Sequence, residues 1–257
     1  MITIKNEREF RKMAVAGACV AAVHEAVVEA ADVGVTLRKL DGIAADVIRS
    51  RGCTPSFLNY QGFPAHICTS PNEVIVHGIP GDYRLAPGDI LSIDAGAVYE
   101  GYHGDAALTI GIGDLDEEAR RLLEVTRRAL WEGIDRARAG GRVGDIGHAV
   151  ERAAAPHGYG VVRDYVGHGI GRAMHESPQI PNYGVPGKGT RLKRGMAVCI
   201  EPMFNLGTHQ TLTKADGWTV VTADGKRSAH FEHTVALTAD GPVVTTVSDL
   251  LTARPLG

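Results

Sequence analysis

PGDILSID (residues 87–94) and RGMAVCIE (residues 194–201) are the two stretches of sequence that decide the fold. Each begins near a turn glycine, continues as a short apolar run typical of a buried strand, and ends on an acid. The two stretches lie 107 positions apart, so Gly88 matches Gly195 and Asp94 matches Glu201. This common offset indicates that the chain contains one structural unit twice.

The same order of elements surrounds both stretches. Apolar residues at helical spacing predict two helices in each half, over residues 5–31, 36–52, 116–138 and 143–155. Gly34 and Gly141, which separate the helices of each pair, are again 107 positions apart. Short apolar runs between Pro, Gly and Asn predict strands over residues 54–109 and 161–247. We therefore favour a duplicated helix-helix-strand unit with pseudo-two-fold symmetry over coincidence in a chain with 32 glycines.

The composition gives no reason to expect a nucleic-acid or membrane partner. Lys plus Arg is 27 and Asp plus Glu is 30, and the resulting net charge of -3 does not favour anionic surfaces. The N-terminal stretch MITIKNEREFRKM carries charges where a secretory signal has an apolar core. No stretch approaches the ~18 uninterrupted apolar residues of a membrane span. The scattered cysteines, without a CxxC pair, favour free thiols in a reducing, cytoplasmic compartment.

The two halves are expected to form one domain. A chain of 257 residues can hold one large domain or two small ones. No Pro- or Ser-rich linker separates the halves, so we expect them to share one sheet system and one core. The predicted domain therefore spans residues 1–257, with pseudo-symmetric halves of about 1–110 and 111–257.

Ionisable residues interrupt the strand-like and Gly-rich segments at five positions. These are Asp94 after ILSI, Asp105 before AALTI, His168 in VGHGIG, Glu201 after AVCI, and Glu232 in AHFEHTVAL. An isolated buried carboxylate is costly, so the four acids imply a common positive partner. Two divalent cations would neutralise them charge for charge. Oxygen ligands with one imidazole suit Mn, Fe, Co or Zn.

Each of these residues alone also has an ordinary structural interpretation. Asp94 fits a turn former before Ala-Gly, and Asp105 fits a cap of the hairpin predicted around residues 99–101. His168 between glycines fits a loop histidine, and Glu232 fits a solvated strand residue. For either aspartate alone we weigh the two interpretations equally. The ordinary interpretation must hold five times, in both halves and at mirrored positions, so the set together favours a metal site.

The five residues, in this order, resemble the dinuclear site of the methionine aminopeptidases. The resemblance covers residues 4–247 and extends to the motifs NEVIVHGIP, SIDAGAVYEGYHGDAALT, GHGIGRAMHE, IEPM, DGWT and FEHTV. It implies the pita-bread fold, an α/β (α+β) arrangement in which the metal site lies between two duplicated halves. Only 33 positions separate His168 from Glu201, which leaves no room for the helical insertion of type II enzymes. The resemblance is therefore to type I.

The resemblance implies a role for each residue of the site. Asp94 chelates one metal, Asp105 bridges both, and His168, Glu201 and Glu232 complete the two shells. Glu201 also accepts a proton from the water that attacks the substrate. Two further residues are matched as catalytic histidines near the scissile amide, namely His77 and His175. For these histidines, hydrogen bonding to the backbone of a Gly-rich turn is the structural alternative.

The resemblance also implies two binding sites next to the metals. The wall of a methionine pocket is matched by Tyr60, Phe63, Cys68, His77, Met174 and Trp218, although core packing is the alternative for these residues alone. Met174 stands where the family usually has Phe, and His230 stands where Gln is usual, which leaves the fine specificity open. Positions at which relatives hold a monovalent cation, Na⁺ or K⁺, are matched by Asn72, Val74 and Ser228.

The function implied by the resemblance is the maturation of new proteins. The enzyme would be a cytoplasmic, monomeric aminopeptidase, a metal-dependent hydrolase that removes the initiator methionine when the second residue of the nascent chain is small. Transient association with the ribosome would follow, without a membrane or a specific nucleic acid as partner. Two alternatives are a proline-directed peptidase of the same fold and a metal-free binding member that has lost catalysis. The sequence does not determine which divalent metal is physiological.

Overall fold

The structure of the protein is a computed structural model that describes residues 2–248. It combines helices with one large sheet. Residue 1 and residues 249–257 of the predicted domain lie outside the described residues. The helices are α1 (Glu7–Ala30), α2 (Leu37–Ser50), α3 (Glu117–Arg136) and α4 (Val143–Ala154). The strands are β1 (Thr54–Pro55), β2 (Ile67–Pro71), β3 (Val74–Val76), β4 (Ile90–Tyr99), β5 (Tyr102–Gly111), β6 (Gly160–Val161), β7 (Gly167–Gly169), β8 (Glu176–Ile180), β9 (Ala197–Ile200), β10 (Met203–Asn205), β11 (Thr211–Thr213), β12 (Val220–Thr222), β13 (Ser228–His230), β14 (Glu232–Leu237) and β15 (Pro242–Val244).

The four predicted helices are confirmed, and local side-chain chemistry explains where they begin. The Asn6 side chain accepts hydrogen bonds from the first turn of α1, and Glu9 completes a capping box. Thr36, the predicted N-cap of α2, accepts from the backbone N–H of Lys39. Asp116 caps α3 in the same way. These caps satisfy backbone groups that would otherwise lack partners, so the helix starts are fixed by the sequence.

One sheet runs through both halves of the chain. Its strand order is β1-β4-β5-β14-β9-β7-β8, with β2 also on β4 and β15 also on β14. Strands β5 and β14 pair antiparallel and join the two halves. The helices α1 and α2 contact each other on the first half, and α3 and α4 contact each other on the second. Smaller sheets, β13-β10-β6 and β11-β12-β3, complete the described architecture.

The backbone confirms the predicted duplication. The first residues of β4 and β9, Ile90 and Ala197, are 107 positions apart, and each strand follows a glycine, Gly88 or Gly195, with a φ of 87°. At the turns between helices the offset changes by one residue. Gly34 has a positive φ, but its counterpart with positive φ is Gly140, because the N–H of Gly140 turns back to the carbonyl of Leu192. The predicted match of Gly34 with Gly141 was therefore wrong by one residue.

Helix α1 is a core helix. Met13, Val20, Val23 and Val27 are fully buried, and the helix packs on β4, β5 and α2. The length of α1, and the mean hydropathy of 1.5 in its most apolar 18-residue stretch, would also suit a helix that crosses a membrane. Core helices of globular proteins can have the same length and hydropathy. Half of this 18-residue stretch is buried inside the protein, which agrees with a position in the core.

Two glycines let α1 approach the sheet closely. A Cβ atom on Gly104 of β5 would lie 2.7 Å from the backbone nitrogen of Gly17 in α1. A Cβ atom on Gly17 would lie 2.1 Å from the carbonyl oxygen of Thr245. Backbone atoms cannot move aside as a flexible side chain can, so this contact tolerates no added methyl group.

We predict that Gly104→Ala lowers the free energy of unfolding by about 1–3 kcal/mol, because the methyl group must push α1 away from the sheet. Gly42→Ala is the matched control, since nothing lies within 4 Å of that position in α2. Alanine is the better helix former, so the control should gain about 0.5–1 kcal/mol. Urea denaturation of both variants provides the measurement. Equal stability of Gly104→Ala and the wild type would contradict the close contact.

Candidate metal centre

The register of the central strands places three predicted acids on one face of the sheet. Asp94 of β4 and Glu232 of β14 both pair with Ala107 of β5, from its two sides. Directly paired residues, and residues two apart in a strand, share a face. Asp105 precedes Ala107 by two positions and therefore joins the other two acids. Asp105 and Glu232 are buried, whereas Asp94 is half-buried.

Glu201 and His168 reach the same face from the second half. Glu201 follows Ile200, which pairs with His233 of β14, so Glu201 lies next to Glu232. The Nε2 atom of His168 lies 3.7 Å from Glu201 Oε1 and 4.0 Å from Asp105 Oδ2. Its Nδ1 atom lies 2.9 Å from the carbonyl oxygen of Gly169. With Nδ1 as the donor in this contact, Nε2 is a free acceptor that faces the acids.

Burial, together with the crowding of carboxylates, controls the charge of this cluster. Burial raises the pKa of Asp94 to about 7 and that of Glu201 to about 8. Burial, followed by the charges of the neighbouring acids, raises the pKa of Asp105 and Glu232 well above the usual range. Burial lowers the pKa of His168 to about 3, so its imidazole is neutral. Without a cation the acids must hold protons in order to share the site.

The donor set fits divalent cations. One buried oxygen in each of Asp94, Asp105 and Glu232 lacks a hydrogen-bond partner among the described residues. Candidate ligand atoms of Asp105, His168, Glu232 and Cys199 all lie within 4.8 Å of one another. Carboxylate oxygens and one neutral imidazole suit first-row divalent metals. The unpaired oxygens have the partner they need if cations bind there.

Cys199 is a neighbour of this cluster that the sequence analysis did not include. Burial, and then the charges of Glu232 and Asp105, raise the pKa of its thiol well above the usual value. Its Sγ lies 3.6 Å from the hydroxyl oxygen of Thr234. Only a thiolate binds metals strongly, and the raised pKa keeps the Cys199 thiol protonated. The carboxylates are therefore favoured over Cys199 as ligands.

A cavity of about 200 Å³ opens beside the acids. All six residues predicted for the pocket wall line it, namely Tyr60, Phe63, Cys68, His77, Met174 and Trp218. The ring centroids of Phe63 and Trp218 are 5.2 Å apart in an edge-to-face arrangement. Residues that line the cavity without having been predicted as its wall include Phe57, Gln61, Val76, Tyr165, Val166 and His230. Tyr165 lies only three positions before His168, which was a usable signal.

The two predicted catalytic histidines both line the cavity. The Nδ1 atom of His175 lies 2.8 Å from the Tyr60 hydroxyl, and the ring centroids of His175 and His168 are 4.3 Å apart. The ring of His77 contacts the ring of Tyr165 edge-on, with centroids 5.5 Å apart. Burial lowers the pKa of His77 to about 4 and also lowers the pKa of His175. Both imidazoles are therefore neutral near pH ~7 and can each donate one hydrogen bond.

The two departures from the family pattern are both buried at the site. Met174 packs in an apolar cluster with Phe57, Phe63 and Cys68. His230 lies with its Nε2 atom 3.9 Å from Glu232 Oε2, and this nitrogen has no hydrogen-bond partner among the described residues. Burial lowers the pKa of His230 to about 3, so it adds no positive charge to the cluster.

The residues matched to a monovalent cation lie close together. The Asn72 carbonyl accepts a hydrogen bond of 2.8 Å from the backbone N–H of Ser228. The Ser228 hydroxyl oxygen is buried without a hydrogen-bond partner among the described residues. Val74 begins β3, two positions after Asn72. The Asn72 side chain donates through Nδ2 to Asp89 and accepts through Oδ1 from the backbone N–H of Ile90 at 3.2 Å, so both ends of its amide group are already hydrogen-bonded.

The profile of metallopeptidase family M24 matches residues 11–239. The chain belongs to this family. It is similar to the methionine aminopeptidase of Clostridium acetobutylicum, with 48% identity over 97% of this chain and 100% of the relative. Methionine aminopeptidase 1 of Mycobacterium tuberculosis is 51% identical over 95% of this chain and 94% of its own length. The predicted family is thus confirmed: within family M24, the chain is similar in sequence to methionine aminopeptidases.

The structural comparison gives the same result for this M24 chain. A crystal structure of methionine aminopeptidase from Thermotoga maritima superposes with a TM-score of 0.95 at 42% identity. The superposition covers 96% of this chain and 100% of the other. The predicted pita-bread fold is therefore confirmed. Membership of a metallopeptidase family also agrees with the use of divalent metal by this chain.

We predict that the metal-free protein becomes less stable as the pH rises from about 7 to about 8.5. Asp94 and Glu201 have folded-state pKa values of about 7 and about 8, above their ordinary values of 3.8 and 4.5. The stability that these two groups contribute is fully present below their ordinary pKa values. It is lost as the pH rises through their pKa values in the folded protein. The neutral histidines act in the opposite direction only below their ordinary pKa of about 6.5.

Thermal melting across this pH range checks the prediction. Glu201→Gln removes one titrating carboxyl group, so its melting temperature should fall less steeply with pH. Saturation with a divalent cation should remove most of the fall, because the cation replaces the protons. A melting temperature of the metal-free wild type that stays flat or rises over this range would show that these carboxyl groups are already ionised.

Proposed function

We propose that this chain removes the N-terminal methionine from polypeptides by metal-dependent hydrolysis of the first peptide bond. The observation that carries the proposal is the position of four acids and one neutral histidine beside a cavity walled by aromatic rings and sulfur. The names of its relatives support the same activity. The enzyme is a hydrolase that acts as an aminopeptidase, in a single catalytic domain of two pseudo-symmetric halves.

The ligands of two divalent cations, Co, Mn, Fe or Zn, are in this proposal Asp94, Asp105, His168, Glu201 and Glu232. Bound cations would supply Lewis acidity, which lowers the pKa of a coordinated water and polarises the substrate carbonyl. A Na⁺ or K⁺ ion near Asn72, Val74 and Ser228 is a further part of the proposal. The buried Ser228 hydroxyl, which has no hydrogen-bond partner within residues 2–248, supports it.

The chain's own residues then handle the proton and the developing charge. Glu201 is half-buried at the cavity and has a raised pKa, so its carboxylate is a strong enough base to accept a proton from water. His175 is neutral and exposed at the cavity, where its ring can donate to the carbonyl oxygen of the scissile bond. His77 lines the same cavity, and in this proposal its ring contacts the amide nitrogen of the leaving group.

The cavity wall supports methionine as the preferred first residue. An unbranched thioether packs well against aromatic rings and sulfur, and the wall supplies Phe63, Trp218, Cys68 and Met174. We propose nascent polypeptides with a small second residue as substrates and the cytoplasm as the compartment. The protein would act as a monomer, with transient contact to the ribosome and without a membrane or specific nucleic-acid partner.

Two alternatives are less well supported. A proline-directed peptidase would share the fold and the metals, but the two relatives named above, at 48% and 51% identity, are methionine aminopeptidases. A metal-free binding member would have no use for buried, unpaired carboxylate oxygens facing a cavity. Both alternatives give a different outcome in the peptide assay described next.

We expect protein that has been stripped by a chelator to release no methionine from Met-Ala-Ser. Titration with Mn²⁺ or Co²⁺ should restore the release, because the acids then hold the cations in place of protons. Leu-Ala-Ser and an x-Pro dipeptide serve as matched substrates, and free amino acids are quantified after incubation. Cleavage of the x-Pro dipeptide alone would support the proline-directed alternative. Folded protein without release at any metal concentration would support the binding alternative.

Substitution of single site residues should separate metal binding from proton chemistry. His175→Ala should lower turnover by about 100- to 1000-fold while the metal content stays near that of the wild type. Glu201→Gln should fold, lose nearly all turnover and also bind less metal. His209→Ala is the control, since His209 is exposed and does not line the cavity. Loss of metal from His175→Ala, measured by elemental analysis, would show that its proposed role is wrong.

A further inference from the structure

Lys5 and Glu176 form an ion pair that is unusual in this protein because it is buried. The Lys5 Nζ atom lies 2.8 Å from Glu176 Oε2, and the two side chains are only 4% and 6% exposed. In all other Lys or Arg ion pairs of the described residues, both side chains are at least 28% exposed. Exposed pairs contribute little, whereas removal of one partner from a buried pair leaves a charge without compensation.

The Glu176 carboxylate also holds backbone. Its Oε1 atom accepts hydrogen bonds from the backbone N–H groups of Arg172, at 3.0 Å, and Ala173, at 3.3 Å. Its Oε2 atom accepts from the Thr3 hydroxyl as well as from Lys5. One carboxylate therefore ties the N-terminal segment, residues 3–5, to the loop of residues 170–175 between β7 and β8. Charge-assisted hydrogen bonds of this kind are stronger than neutral ones.

This loop carries two residues of the cavity wall, Met174 and His175. The loop has further anchors, which include a 3.1 Å hydrogen bond from the Ile170 N–H to the Ala197 carbonyl and the 2.8 Å contact of His175 Nδ1 with the Tyr60 hydroxyl. The His103 N–H donates to the Gly171 carbonyl at 2.9 Å, and the Arg172 guanidinium lies over the Tyr102 ring at 4.7 Å. The loop contains no strand or helix of its own. In the middle of the loop, the Glu176 carboxylate is the group that holds the backbone N–H groups of both Arg172 and Ala173.

The Lys5 side chain fits tightly between the loop and the rest of the protein. A Cβ atom on Gly171 would lie 2.5 Å from Lys5 Cε and 2.7 Å from Glu176 Oε1. The Lys5 backbone is itself fixed, since its N–H donates to the Gly195 carbonyl at 2.7 Å. Gly195 precedes β9, the strand that leads to Glu201. The same contact thus connects the loop to the strand that bears an acid of the site.

We propose that Lys5 and Glu176 are positioning residues that hold the loop of residues 170–175, and with it His175 and Met174, at the wall of the cavity. This inference rests on the proposed function, in which His175 contacts the scissile bond and Met174 contacts the methionine side chain. Neither Lys5 nor Glu176 lines the cavity, so both act through the loop. Displacement of a catalytic group by about 1 Å can cost about 100-fold in rate.

The test compares Lys5→Met, Lys5→Arg and Glu176→Gln with Lys12→Met in the metal-loaded enzyme. Lys12→Met is the matched control, because Lys12 pairs with the exposed Glu100 at 2.9 Å and lies outside the loop. We expect amide hydrogen exchange at residues 172–175 to become about 10-fold faster in Lys5→Met and Glu176→Gln. We expect kcat on Met-Ala-Ser to fall by about 10- to 100-fold in these variants, with metal content unchanged. Lys5→Arg should recover most of kcat, and Lys12→Met should resemble the wild type.

Two results would overturn the inference. In one, amide exchange in the loop and kcat are unchanged in Lys5→Met. In the other, Lys5→Met loses metal, melts far below the wild type and shows faster amide exchange throughout the protein. That result would mean that the ion pair stabilises the whole fold and not the loop in particular. Should Glu176→Gln fail to fold, Lys5→Met and Lys5→Arg still decide. A wild type without methionine release would refute the proposed function, while the exchange measurement would still show whether the pair holds the loop.

Discussion

The structure depends on one electrostatic constraint, the placement of four carboxylates beside one another at a largely buried site. Burial raises the pKa of all four, the charges of neighbouring acids add to this for Asp105, Glu201 and Glu232, and one oxygen in each of Asp94, Asp105 and Glu232 has no hydrogen-bond partner among the described residues. A protein tolerates such a cluster only when protons or cations neutralise it and a rigid frame prevents the acids from separating. The central sheet is that frame. Its register holds Asp94 and Glu232 on opposite sides of Ala107.

The duplicated architecture explains how a rigid frame can also present an open cavity. Each half supplies its own strand with an acid at matched positions, Asp94 or Glu201, and the pairing of β5 with β14 unites them. The cavity wall is recruited differently, from less regular segments around Tyr60, Trp218 and residues 170–175. The proposed ligands of the cations thus lie on or next to the sheet, whereas residues proposed to contact the substrate lie mainly on loops that need additional anchors.

The sequence predicted the parts that depend on local patterns. Helix limits follow from caps such as Asn6, Thr36 and Asp116, and the acids stood out because charges are rare in apolar strands. Contacts between distant segments could not be predicted in this way. Nothing around Lys5 indicates that it is buried against Glu176, and nothing around Cys199 indicates its closeness to Asp105 and Glu232. The match of Gly34 with Gly140 could not be predicted either, because glycines occupy both positions 140 and 141 and only the backbone φ angle distinguishes them.

The seam between β5 and β14 has a consequence for how the molecule comes into being. Asp105 and Glu232 stand 127 positions apart in the chain, yet they meet on neighbouring strands. Contacts of such long range form late, because the entropy of closing a large loop must be overcome first. While the chain is being synthesised, the first half can form its hairpin of β4 and β5, but the cluster has only two of its four acids. The complete set of proposed ligands therefore arises only in a molecule whose second half has been synthesised and has docked, so the proposed binding of the cations cannot precede the folding of that half.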